Sequence, residues 1–135
     1  MSQENVEIVR RAWEAAWSKP PDWAVLGALY HPDHVFESDY GGVNNTAYRG
    51  AAGFQAFLAD QDETWDDWRH DLDRVIDAGA GAVFVEARLV AHGKHSAVGV
   101  EQAYGVVITV SEGKIVRTRA YAGLREALDA VGLSE

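Results

Sequence analysis

The chain has 135 residues, 47% of them apolar, with a formal charge of −9 and no cysteine. This length fits one domain, residues 1–135, with a core of its own, and the missing thiols exclude disulfides, thiol nucleophiles and zinc–thiolate sites. The acidic balance argues against nucleic acid or an anionic membrane as partner. The polar start MSQENVEIVRR, with no apolar run of membrane-spanning length in the chain, makes a cytoplasmic protein the expectation.

Val6, Val9, Trp13, Ala16 and Trp17 recur at helical spacing, which predicts an amphipathic helix over 3–18 with Ser2 as its cap. Pro20 and Pro21 stop it. Asp22 caps a shorter helix through Tyr30, carrying Trp23, Leu26 and Leu29, and Pro32 ends that helix in turn. Residues 34–38 alternate as a strand, and Gly41-Gly42 with Asn44-Asn45 marks a loop. Phe54, Phe57 and Leu58 suggest a third helix from Gly50 to about Asp60. Trp68, His70 and Leu72 then alternate with charged residues, which is strand periodicity. After the turn from Asp77 to Gly81 come long strands at 82–92 and 96–110, a hairpin turn from Ser111 to Lys114, a strand at 115–122 and a short helix at 124–130.

Helices first and antiparallel strands after is the α+β pattern. One alternating set, Val83, Val85, Ala87, Leu89, Ala103, Gly105, Val107 and Ala120, is apolar and small. The other, with Phe84, Val90, Tyr104, Val106, Ile108 and Tyr121, is also apolar. Both faces of the sheet therefore want cover. Three helices cover one face, so a second subunit is expected on the convex one. The small set, taken as the concave face opposite Trp13, Trp17, Phe54 and Phe57, leaves two possibilities open: an interdigitated solid core, or a hollow with a few polar groups.

The stretch "YHPDHVFESD" holds two histidines and three carboxylates. On a strand, His34, Phe36 and Ser38 share one face while Val35, Glu37 and Asp39 share the other. Its ligands diverge, so it reads as a helix–strand junction and no metal site is expected. His92 and His95 flank Gly93-Lys94 at a hairpin tip, and the acidic run Asp60, Asp62, Glu63, Asp66, Asp67 reads as a solvated helix end.

Four segments, "VEIVRRAWEAAW", "LYHPDHVFES", "YRGAAGFQAFL" and "IDAGAGAVFVEARLV", followed by "EGKIVRTRAYAGLREAL", resemble the SnoaL-like branch of the nuclear-transport-factor-2-like (NTF2-like) superfamily. The resemblance implies a cone-shaped α+β barrel: three helices packed on a strongly curved antiparallel sheet, with a homodimer formed through the convex face. The scaffold hosts many activities, so fold does not fix function. Where ketosteroid-isomerase relatives carry a general-base aspartate, an oxyanion-hole tyrosine and a protonated aspartate, this chain has Ser38 (with Asp39 one residue on), Trp13 and Gly105. Isomerisation by that chemistry is not expected. No Asp–Arg–Asp trio of the epoxide-hydrolase kind can be assigned. SnoaL-type cyclases imply acid–base chemistry without cofactor, for which His70 and Glu101 are the candidates if they meet. A structurally satisfied His70 and an edge-lying Glu101 are the plainer alternatives. The expected pocket wall is Trp13, Trp17, Tyr30, Phe36, Ser38, Tyr48, Phe54, Phe57, Trp68, Val85, Ala87, Leu89, Ala103, Gly105 and Ala120. The expected function is binding of a small hydrophobic molecule, with acid–base turnover of the cyclase or isomerase type as its catalytic form and neither metal nor organic cofactor. The other reading is a non-catalytic dimeric interaction module whose pocket is filled by its own side chains.

Overall fold

A computed structural model describes residues 2–38, 47–94 and 99–133. In chain order they form α1 (Ser2–Trp17), α2 (Trp23–Leu29), β1 (Tyr30–Ser38), β2 (Ala47–Arg49), α3 (Gly50–Thr64), β3 (Trp65–Gly79), β4 (Ala82–Gly93), β5 (Gly99–Ser111), β6 (Lys114–Tyr121) and α4 (Leu124–Ala130). Asp22 caps α2 as its sequence position suggests, its Oδ1 accepting from the Val25 N–H at 3.2 Å. The three-residue β2 is too short to leave a periodic signal, and β1 starts at Tyr30, directly where α2 stops.

The six strands form one sheet in the order β2-β1-β6-β5-β4-β3. Every pairing is antiparallel except β1 with β6, which is parallel. Among the described residues the sheet does not close, and β2 and β3 are its edges. Helix α3 nevertheless touches β1 and β2 near one edge and β3 at the other. A single helix can reach both only if the sheet bends around it, and that bend makes the concave side. There α1 buries Val9 and Ala12 in one cluster with Val83, Val85 and Ala87.

Register settles which face of each strand is concave. Val83, Val85 and Ala87 of β4 stand opposite Ile108, Val106 and Tyr104 of β5, so these β5 residues share the concave face. Ala103, Gly105 and Val107 point the other way, which reverses the expectation from sequence. Period-two alternation yields two sets but not which is inside, and both sets of β5 are apolar. The small residue at 105 serves the convex side. A Cβ there would meet the Ala127 Cβ of α4, and Phe84, Ala127 and Leu128 bury together around that contact. Helix α4 thus covers part of the convex face that the sequence reading left to a second subunit.

The rest of that face carries charge. Arg88 is held by Asp73 at 2.9 Å and Glu101 at 2.7 Å, and Arg74 pairs with Glu86 at 3.0 Å. The register shifts between Leu72 and Arg74. This bulge lets consecutive residues Asp73 and Arg74 both find charged partners on β4. Asp39, the Asn44-Asn45 loop and His95 lie outside the described residues. Among the described residues no helix is long and apolar enough to cross a membrane.

Candidate functional site

The bend leaves a cavity of about 530 Å³ between α1, α2, α3 and the concave sheet. From α1 come Trp13 and Trp17, from α3 Phe54 and Phe57, from β1 Phe36, and from β5 Val106 and Ile108. The rings brace one another. Trp17 meets Phe54, Phe57 and Trp68 edge-on at centroid separations of 5.7, 6.1 and 5.9 Å, and Phe57 stands perpendicular to Phe36 at 4.8 Å. Such a lattice of stiff groups resists collapse better than flexible aliphatic chains would. Trp23, Gly27, His31, Pro32, Ala51 and Gln55 are the exposed wall residues on α2 and at the starts of β1 and α3, and they mark the mouth. Trp23, 38% exposed, is the large apolar side chain most open to solvent there.

Two polar centres interrupt the apolar wall. At the first, His70 of β3 lies 4.2 Å from the Trp17 ring, stacked upon it. The Tyr104 hydroxyl lies 2.6 Å from its Nδ1, and the Gln61 Oε1 lies 3.3 Å from its Nε2. A carbonyl oxygen at Nε2 requires the proton there, which leaves Nδ1 to accept from Tyr104. Desolvation by burial lowers the His70 pKa to about 4, against an opposing pull from Asp71, while Lys19 pushes the same way as burial. The imidazole is therefore neutral at pH 7. At the second centre, His34 of β1 is 8% exposed and its Nε2 is 2.8 Å from Thr118 Oγ1 of β6. Burial lowers its pKa to about 4 as well. Tyr30 stands edge-on to His34 at 4.6 Å, and burial raises the pKa of its phenol. The Tyr30 hydroxyl has no hydrogen-bond partner among the described residues, so it is available as a donor to a guest.

The residues read from the sequence divide accordingly. Trp13, Trp17, Tyr30, Phe36, Ser38, Phe54, Phe57, His70, Leu89 and Ala120 lie on the wall. Tyr48 and Trp68 stand behind it. Tyr48 stacks on Phe36 at 5.9 Å and donates to Asp60 at 2.9 Å, and Trp68 packs on Trp17 while its indole N–H donates to Asp62 at 2.8 Å. Val85 and Ala87 are buried beneath α1 instead. Ala103 is exposed and Gly105 lies under α4. Glu101 does not meet His70. It is on the convex face, 61% exposed, and bound to Arg88. Its partner strand position, Val90, alternates with Leu89, so the reversed face of β5 is the whole reason.

Among the wall residues not expected from sequence are Tyr104, Gln61, His34 and Thr118, which make its side-chain hydrogen bonds. Two carried a signal. Thr118 is two residues from Ala120, hence on the same face, and His34 shares its face with Phe36 and Ser38. Among the described residues no three His, Asp or Glu side chains converge as metal ligands would.

A family profile described as a SnoaL-like domain matches residues 9–118. The structure is similar to a SnoaL-like polyketide cyclase from Jannaschia at 20% identity and TM-score 0.74, covering 99% of this chain and 95% of that one. It is similar to a protein of ketosteroid isomerase-like fold from Catenulispora acidiphila in complex with trimethylamine, at 18% identity and TM-score 0.71, covering 95% and 94%. It is also similar to an LEH-like epoxide hydrolase from M. tuberculosis, at 18% identity and TM-score 0.66, covering 96% and 86%. No curated protein matches the sequence.

Proposed function

The chain belongs to the SnoaL-like domain family, of the NTF2-like fold, and from that premise we propose that it binds a small, largely apolar molecule in the cavity between its helices and its concave sheet. The observation that carries this reading is a void of about 530 Å³ walled by aromatic rings and interrupted by two hydrogen-bonding histidine centres. Pockets for small molecules combine an apolar lining with a few convergent polar groups in this way. The neighbours described as a polyketide cyclase and an epoxide hydrolase agree with a scaffold that holds small molecules. The interaction-module reading needs the same space filled by the chain's own atoms, and it has less support.

The catalytic form of the proposal rests on His70 and Tyr104, with Glu101 removed. The Tyr104 hydroxyl can pass its proton to Nδ1 of His70 while its oxygen takes one from a guest hydroxyl or from a carbon next to a guest carbonyl. The reverse step returns it, with no metal or organic cofactor needed. An imidazole with pKa about 4 is a weak base at pH 7, so binding ranks ahead of turnover in this reading. A homodimer through the uncovered part of the convex face belongs to the same proposal.

Thermal unfolding with a panel of uncharged aromatic and terpenoid compounds tests it. A ligand held only by the native state at a hundred times its Kd adds about 2.7 kcal/mol, a rise on the order of 10 °C for a domain of this size. A flat response across the panel rejects the ligand reading in favour of the interaction module.

A further inference from the structure

We propose that the cavity selects by charge and by length, taking uncharged, elongated ring compounds with an oxygen function at each end and rejecting the ionised forms of the same skeletons. This rests on the ligand-binding reading above and names its substrate class.

The charge argument comes from what the wall is made of. Among the described residues on it there is no Asp, Glu, Lys or Arg. Asp60 and Asp62, which flank the wall residue Gln61, are turned to the Tyr48 hydroxyl and the Trp68 indole behind the wall. Both buried histidines are engaged as hydrogen-bonded neutral rings, His70 between Tyr104 and Gln61 and His34 on Thr118. The exposed His31 at the mouth has its Nδ1 occupied by the Asp33 N–H at 3.0 Å. A carboxylate or ammonium entering this space loses its hydration and meets no counter-charge, which is the costly way to bury an ion. An oxygen of a ketone, ether or hydroxyl meets a donor instead, the Tyr30 phenol at one end and the side-chain amide N–H of Gln61, whose Oε1 is at His70, at the other.

The length argument comes from register. Thr118 stands opposite Ile108, and Tyr104 lies four residues along the same strand. At ~3.4 Å per residue and ~4.8 Å between strands, the backbones of the two polar centres are about 14 Å apart. Side chains reaching inward from both ends shorten the gap to the length of a two- or three-ring skeleton.

The test is isothermal titration of the full chain at pH 7.5 with four compounds sharing one skeleton: 2-acetonaphthone, 2,6-dihydroxynaphthalene, 2-naphthoate and 2-naphthylmethylammonium. Expected are binding of both neutral compounds and at least tenfold weaker binding of both ions. The second expectation is that Thr118→Val and Tyr30→Phe, both at the His34 end, each weaken 2,6-dihydroxynaphthalene several-fold more than they weaken 2-acetonaphthone, which can seat its one oxygen at the Tyr104 end. Should an ion bind within twofold of the neutral pair, charge selection is wrong while the ligand reading stands. Equal losses for the two neutral compounds overturn the two-ended arrangement. If none of the four binds, and the neutral panel above also fails, the ligand reading falls and takes this one with it.

Discussion

Two buried imidazoles define the chemistry of the site at the level of single residues. His34 and His70 both have folded pKa values near 4 against an ordinary 6.5, in each case chiefly because burial penalises the cation. A folded pKa below the unfolded one means that the unfolded chain binds more protons between the two values. Each ring therefore contributes stability that is fully present above about pH 6.5 and is lost as pH falls through 4. For the well-buried His34 the full loss is about 3 kcal/mol. Urea titrations at pH 7 and pH 4.5 are expected to show a smaller difference in His34→Gln than in the parent chain. Equal pH dependence in the two proteins rules out a neutral buried His34. Imidazole Cε1–H resonances supply the direct check for both rings, which should stay in the neutral form at pH 5.5. Tyr104→Phe removes the hydroxyl from His70 and leaves the aromatic contact, whose centroids are 5.7 Å apart. The fold is expected to survive, with any proton-transfer activity lost and binding of purely apolar guests retained.

Secondary-structure elements decide where those residues point, and β5 is the instructive case. Its concave face carries Tyr104, Val106 and Ile108 while its convex face carries Ala103, Gly105 and Val107. Gly105 is small because α4 crosses it and brings the Ala127 methyl against it. Gly105→Val is therefore expected to destabilise the domain by about 1–3 kcal/mol through overpacking. Ala103→Val, two residues away on the same face but exposed, should stay within about 0.5 kcal/mol. Chemical denaturation of the two variants checks both figures, and a neutral Gly105→Val would mean that α4 does not pack there. Along β1 the sequence served better. The alternation of His34, Phe36 and Ser38 was legible, and all three reach the cavity wall. What looked like a mere junction between helix and strand is a junction that also supplies one wall of the site.

At the scale of the whole molecule, the bent sheet, the aromatic lid and the charged convex face set what the protein can meet. Light scattering at micromolar concentration is expected to give a dimer mass, formed over the convex surface that α4 leaves uncovered; a monomer mass would mean that α4 and the ion pairs of Arg74 and Arg88 complete that face in cis. The sequence by itself determined the α+β class, nearly every helix and strand, the family and the aromatic half of the wall, because hydrophobic period, proline stops and turn residues are local and survive in one dimension. It also located His70 on the buried side of its strand. Only the tertiary structure decided which apolar face of β5 is concave, that Tyr104 and not Glu101 is the partner of His70, and that Thr118 stands beside His34. Those facts depend on strand register and on the crossing of α4, which are long-range pairings that alternation along one strand does not encode. The hollow itself was expected for the wrong reason. Of the four small residues read as its floor only Ala120 lines it, and the space is kept by large rings braced against one another around a sheet that α3 spans from edge to edge.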